Sequence, residues 1–228
     1  MIRKAWHGLI SIERALLITL LIIGAALFGF FKLASEVAEG DTMAFDRAIM
    51  LAFRSSDPAI PAGPRWLTQA MTDLTAFGGL AGLIVVIAAT TGFLLASRRR
   101  RTALFVLAAT GTGAAAASLL KLVYDRPRPA LVPHLVEVAS ASFPSGHAAD
   151  AAIVYLTLGA LLARTVAEPA LRVYILSAAA LLVLLVGVSR VYLGVHWPSD
   201  VLGGWTIGAA WALACSLLYS RVVAAKAG

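Results

Sequence analysis

Charge is scarce in this chain: 14% of its 228 residues are Asp, Glu, Lys or Arg, where soluble domains carry about 25%. With 60% of the residues hydrophobic, that scarcity excludes an ordinary soluble fold. Cysteine is nearly absent as well. Cys215 stands alone, so no internal disulfide framework exists, and nothing follows about redox compartment. Also missing are an HExxH helix, a carboxylate cluster with metal-ligand spacing and any internal repeat. No metal and no cofactor is expected.

What is present is a series of apolar runs. A span needs about 20 largely apolar residues to cross a hydrocarbon core of ~30 Å, and six stretches are placed at 15–33, 72–96, 102–120, 148–164, 172–189 and 201–219. Backbone groups in hydrocarbon must be satisfied within the segment, and these runs do not alternate as barrel strands would. The expected fold is an all-α membrane protein, six transmembrane helices in a single bundle, forming one domain over residues 1–228. Arg3 and Lys4 precede an apolar run as in a signal peptide. However, Ala15–Phe31 is longer than a typical signal core and no small-residue cleavage site follows Lys32, so the first helix is expected to be retained. The Gly111–Ala117 stretch looks like a close-packing helix face.

The net charge of +7 is scattered over the ends of apolar runs rather than gathered on one face. That argues against a nucleic-acid partner and for positive-inside topology. Arg98 to Arg101 reads as a cytoplasmic turn; with Arg3, Lys4, Arg14, Arg164, Arg172, Arg221 and Lys226 it forms the inner set. Both termini are then cytoplasmic, in a membrane of the bacterial inner type. Segments 34–71, 121–147 and 189–200 face the periplasmic or extracellular side. Within the first, Met43, Phe45, Ile49, Met50 and Phe53 lie among Asp46, Arg47 and Arg54, a pattern compatible with a short amphipathic helix at the interface, either a plain connection or a substrate gate.

Ionisable side chains beside membrane spans are costly, so their clustering in the outer segments marks function. Three segments carry them: KLVYDRPRP at 121–129, FPSGH at 143–147 and SRVYLGVHWPSD at 189–200. Lys121, six residues on, Arg128-Pro129; then Pro144 to His147; then Ser189-Arg190, five residues, His196, three residues and Asp200: together these resemble the signature of the type 2 phosphatidic acid phosphatase superfamily. That group includes lipid phosphate phosphatases and shares its pocket with vanadium haloperoxidases. The resemblance runs from the third span to the sixth, and the first third of the chain matches only as membrane scaffold. It implies phosphate removal from a lipid headgroup through a phosphohistidine, with His196 as nucleophile, Asp200 as its orienter and His147 as general acid, and no metal.

The residue chemistry agrees with that implication. Phosphoryl transfer spreads negative charge over the non-bridging oxygens, which positioned cations must hold, and Lys121, Arg128 and Arg190 are suited to it. Each taken singly reads equally well as a snorkelling or solvated helix-end residue. Gly146 permits close backbone approach at the start of the fourth span, and the N–H groups there can face an anion. Ser145 either caps that helix, donates its hydroxyl to phosphate, or does both. His196 and Asp200, four residues apart, can meet across the first turn of the sixth span, which fixes one imidazole tautomer and leaves the other nitrogen free. Opposite protonation demands on the two histidines imply a bell-shaped pH dependence. Asp150, a turn beyond His147, is placed to tune it or simply to supply helix-start polarity. Arg126 repeats the Arg-Pro pair at the wrong spacing and is expected to be auxiliary. His134 is expected to be a solvated loop residue, His7 to lie on the cytoplasmic end, and Tyr192, Trp197 and Trp205 to belong to an interfacial aromatic belt.

The substrate implied is a lipid phosphate or diphosphate in the bilayer: undecaprenyl diphosphate, phosphatidylglycerol phosphate, phosphatidic acid or a lipid A phosphate, with a lean towards undecaprenyl diphosphate on biological generality. No obligatory protein partner is evident. A phosphotransferase would use the same phosphohistidine. A transporter, the alternative from another class, would carry polar residues through several spans, yet the third and fifth are nearly free of ionisable groups between their ends.

Overall fold

A computed structural model describes the backbone of residues 2–138 and 140–222 and the side chains of 13–138 and 140–221. The side chains of Arg3, Lys4, His7 and Lys226, weighed above for topology, lie outside the described residues. Among those described, all regular structure is helical: α1 (Ile2–Glu39), α2 (Met43–Ala52), α3 (Arg65–Ala76), α4 (Leu80–Ala96), α5 (Arg100–Tyr124), α6 (Gly146–Ala151), a π turn (Ala152–Leu156), α7 (Thr157–Ala163), α8 (Pro169–Tyr192) and α9 (Pro198–Val222). Pro169 and Pro198 open their helices, where a missing N–H costs nothing and the fixed φ suits the first turn.

Among the described residues, five helices are long and apolar enough to cross a membrane: Glu13–Glu39 of α1, α5, the continuous Gly146–Ala163, α8 and Pro198–Arg221 of α9. The run expected as a single span over 72–96 is instead a pair of helices with a break between them. The pair α3 and α4 bends by 51° across Phe77–Gly79. Gly79 is extended, with φ −79° and ψ 155°. The Phe77 carbonyl, which a straight helix would use in its own ladder, accepts instead from Tyr155 Oη at 2.7 Å. Outward-facing Leu21, Phe28, Phe93, Val173 and Leu181 give α1, α4 and α8 an apolar exterior of the kind a bilayer covers.

At the centre, α9 packs against α1, α5, α6 and α8. Gly204 and Gly208 let its backbone lie directly on α6: a Cβ on Gly204 would sit 2.7 Å from the Ser145 carbonyl oxygen, and one on Gly208 2.6 Å from Ala152 Cβ. Small residues four apart serve this purpose in membrane helices generally. In the 111–117 stretch, Gly113 and Ala117 do pack inward, Gly113 against Trp211 and Ile153, whereas Gly111 faces open space. An aromatic knot anchors the segment before α6, with Phe143 stacked on Phe30 at 5.7 Å and met edge-on by Tyr124 at 5.2 Å between ring centroids. At 1.5 Å rise per residue α5 is ~37 Å long, so Arg100 and Lys121 stand at opposite ends of the bundle.

Candidate active site

The chain leaves α8, turns at Gly194 with φ 78°, and delivers His196 and Asp200 into the interior at 1% and 0% exposure. Only glycine fits comfortably in that turn, where a Cβ would press within 2.7 Å of the Pro133 carbonyl. Asp200 lies in the first turn of α9. Its Oδ2 accepts the Trp197 N–H at 2.8 Å and the Ser142 hydroxyl at 2.5 Å, and stands 3.4 Å from His196 Nδ1. With Nδ1 turned to the carboxylate, Nε2 of His196 faces the Arg128 guanidinium, 3.2 Å from Nη1. Complete burial holds the His196 pKa down at about 4; the Asp200 carboxylate pushes upward and the nearby Arg128 and Arg190 downward. The imidazole is therefore neutral at ordinary pH, with a lone pair on Nε2.

Around that nitrogen is a cavity of about 990 Å³ whose wall includes Lys121, Arg128, Gly146, His147, Arg190 and His196. The C-terminal turn of α5 supplies Lys121, which donates to the Ala141 carbonyl at 2.9 Å. Arg128 is held by the Ser140 and Val195 carbonyls at 2.7 and 2.6 Å. From the last turn of α8, Arg190 gives Nη1 to Thr75 Oγ1 at 2.9 Å and keeps a buried Nε without a partner. His147 stands at the start of α6 beside the α3–α4 break; its Nε2 is 3.6 Å from where a Cβ on Gly79 would be. Gly146 is small because the Lys121 chain passes it, 3.2 Å from a would-be Cβ. Asp200 lies behind His196 rather than on the cavity wall. Ser145 takes the N-cap position without a side-chain cap bond; it is fully buried, its Oγ has no partner and its N–H is given to the Asp200 carbonyl at 2.9 Å. The same cavity is lined by the apolar residues Leu80, Leu83, Ile87, Ala114, Leu122, Ile153 and Val154 and by the carboxylates Asp125, Glu137 and Asp150.

Several residues that shape this site were given other places by the sequence. Arg126, ranked as auxiliary, is buried deeper than Arg128: Nη1 reaches Asp200 Oδ1 at 2.6 Å and Nη2 reaches Asp46 Oδ2 at 2.8 Å. Asp46 in turn accepts the Ser199 hydroxyl at 2.6 Å and its N–H at 2.8 Å. The α2 helix is thus not simply an interfacial amphipath. Phe45 and Leu51 point outward, but its one carboxylate, at 0% exposure, braces the base of α9. Tyr192 and Trp197 do not join an aromatic belt: both are buried, Tyr192 bonded to Thr68 and Ala62, Trp197 to the Pro127 carbonyl. Trp205 turns inward too, donating to the Val183 carbonyl. His134 is exposed as expected and pins its loop through Pro129. Ser142 and Thr75 belonged to no motif, and no local signal marks either.

Comparison with known proteins agrees on one family. The family model described as the PAP2 superfamily matches residues 102–224. Phosphatidylglycerophosphatase B of Bacillus subtilis is 35% identical over 187 residues, covering 80% of this chain and 88% of that protein. Lipid A 1-phosphatase of Rhizobium etli is 31% identical over 114 residues, 46% of this chain and 45% of that one. Among solved structures, the transmembrane PAP2-type phosphatidylglycerolphosphate phosphatase of Bacillus subtilis superposes with a TM-score of 0.78 at 30% identity, over 88% of this chain and 96% of the other. Aquifex aeolicus LpxE gives 0.53 at 26% identity, over 70% and 88%.

Proposed function

The chain belongs to the PAP2 superfamily of membrane lipid phosphatases, and from that premise we propose that it hydrolyses a lipid phosphate through a phosphohistidine on His196, without a metal. The observation that carries this reading is the shared cavity, which two histidines and three cations line together with apolar residues. A phosphate seated among Lys121, Arg128 and Arg190 has its charge held while its lipid tail lies along the apolar part. His196 Nε2 attacks phosphorus as the bond to the leaving oxygen breaks, and His147 gives that oxygen its proton. Water then attacks the phosphohistidine, His147 takes the water's proton, the P–N bond breaks and inorganic phosphate leaves. Asp200 keeps Nδ1–H in place and steadies the charge that develops on the ring. Lys121, Arg128 and Arg190 line the cavity with His196 and suit an oxyanion, and Asp125, Glu137 and Asp150 line it as well.

Positive-inside counting supports placing the Arg98–Arg101 turn in the cytoplasm, and the cavity, at the other end of α5, on the outer side of the membrane. The names of the relatives point to glycerophospholipid and lipid A phosphates as substrates. The test is phosphate release from purified phosphatidylglycerol phosphate, phosphatidic acid, lipid A 1-phosphate and undecaprenyl diphosphate, with and without EDTA. Release from at least one, unaffected by EDTA and inhibited by orthovanadate, is expected. Activity abolished by EDTA and restored by magnesium would place the protein outside this mechanism.

A further inference from the structure

The helices α4, α5 and the run Gly146–Ala163 line the catalytic cavity over one part of their length and a second cavity, of about 760 Å³, over another. On α4 the lining passes from Leu83 and Ile87 in the first to Ala89 and Phe93 in the second, and on α5 from Thr110 to Val106. The second cavity therefore belongs to the end of the bundle that carries Arg100, away from Lys121 and His147. Its lining is graded along the helices. Ser97, Arg99, Thr102, Thr165 and Tyr219 line it from positions at or near the ends of α4, α5, α7 and α9. Ala89, Phe93, Val106, Leu158 and Leu161 line it from further inside the same helices or their neighbours. The chain reverses between α4 and α5 at Arg98, with φ 58°, and Arg99 follows at the cavity. The hydroxyls of Thr102 and Tyr219 are hydrogen-bonded at 3.1 Å, joining α5 to α9 at that end. Arg99 supplies the charge, and no carboxylate lines the cavity among the described residues.

A cationic, hydroxyl-bearing end that leads to an apolar interior matches an amphiphile with an anionic head. The depth of the cavity says which kind. At 1.5 Å per residue, Ala89 is ~12 Å from Ser97 along α4, close to the ~15 Å that one leaflet contributes to a hydrocarbon core of ~30 Å. A partner transmembrane helix needs the full thickness, whereas a single acyl chain needs one leaflet. We infer that this cavity is a second lipid site, filled by an acyl chain of an anionic phosphodiester lipid from the leaflet opposite the catalytic cavity, with Arg99 on the phosphate and the Thr102 and Tyr219 hydroxyls beside it. A zwitterionic head is disfavoured because it brings a second cation to the arginines at 98–101. A free anion leaves the apolar part unfilled. The assignment rests on the far end of the bundle alone and is independent of what the catalytic cavity does.

The experiment measures lipid binding to the purified full chain in neutral detergent, by native mass spectrometry and by the shift in thermal unfolding. The probes are phosphatidylmethanol, phosphatidylcholine with the same acyl chains, and dimethyl phosphate, a diester head without a chain. Wild type should bind phosphatidylmethanol about 10-fold more tightly than phosphatidylcholine, the discrimination a charge-assisted hydrogen bond supplies. Arg99→Gln should bring the two lipids to within about twofold of each other. Arg100→Gln, the same loss of charge at a neighbour that does not line the cavity, should change the ratio by less than about twofold. Ala89→Trp fills the apolar part and should weaken both lipids at least about fivefold. Dimethyl phosphate should not displace phosphatidylmethanol even in about 100-fold excess, because the chain contributes most of the binding. Lipid held in the catalytic cavity is untouched by these substitutions, so their effects report the far site. Should Arg99→Gln not fold, the wild-type ratio and Ala89→Trp decide. Equal binding of the two lipids by wild type, equal losses in Arg99→Gln and Arg100→Gln, unchanged binding in Ala89→Trp, or displacement by dimethyl phosphate would each overturn the assignment.

Discussion

Arg126 Nη1 lies 2.6 Å from Asp200 Oδ1 while the same guanidinium holds Asp46 at 2.8 Å, all three side chains buried. The arginine is shared between the carboxylate beside His196 and a carboxylate from the second helix, which ties a distant segment to the base of the site. Removing one member of a buried ionic set leaves the others uncompensated, at a cost of about 3–5 kcal/mol. Arg126→Ala should lower unfolding stability in detergent by that amount, and Asp46→Asn added to it should return part of the loss. A cost of Arg126→Ala below about 1 kcal/mol would be that of an exposed pair, and would contradict the bridge.

That bridge was beyond the reach of the sequence, whereas the cavity was not. Lys121, Arg128, His147, Arg190, His196 and Asp200 stand at short fixed separations within three segments, because helix ends impose their spacing. Asp46 and Arg126 are 80 positions apart and meet only through the packing of α2 on α9. Hydrophobic runs located apolar helices, but length and composition do not show a bend: the run is interrupted at Gly78-Gly79, where the Phe77 carbonyl accepts from Tyr155. Tyr192 and Trp197 were misplaced for a related reason. An aromatic near a helix end suits a membrane interface and a buried site equally well, and the partners that decide, Thr68 and Pro127, are remote in sequence.

The break itself is testable. A Cβ on Gly78 would clash with Val186 Cγ1 and lie 3.0 Å from the His147 carbonyl oxygen, so Gly78→Ala must push the break away from Val186 of α8 and from His147. Overpacking of this kind costs about 1–3 kcal/mol, and turnover should fall with it because the acid is displaced. A stable, fully active Gly78→Ala protein would show that the break does not pack against Val186 and His147.

His196 sets a pH dependence of stability. Its folded pKa of about 4 lies below the ordinary 6.5, burial being the main cause. Between those values the unfolded chain binds a proton that the folded site refuses. Stability from this group is therefore complete above 6.5, falls as pH is lowered through the window and is lost below about 4. Thermal unfolding of wild type should lose more on acidification than that of His196→Asn, which has no such proton to exclude. Parallel curves for the two proteins would mean that folding does not shift the His196 pKa.

Topology has an equally direct check. Single cysteines at positions 100 and 134, in a background with Cys215 replaced, should react with an impermeant maleimide from opposite sides of the membrane. Labelling from the same side would overturn the placement of the cavity.

The two histidines can be told apart by the leaving group. His196→Ala should abolish both turnover and phosphoenzyme, whatever is displaced, since it removes the atom that bonds to phosphorus. His147→Ala removes a proton donor, a contribution typically worth 10²–10⁴-fold where the leaving oxygen is basic. An aryl phosphate, whose phenolate leaves unaided, needs that proton least. In single turnover, His147→Ala should therefore keep relatively more of the phosphoenzyme-forming step on an aryl phosphate than on a lipid phosphate. Steady-state rates do not report this, because His147 is also the base for hydrolysis of the phosphohistidine and its loss slows that step for every substrate. Leaving-group dependence in His196→Ala and none in His147→Ala would reverse the two roles.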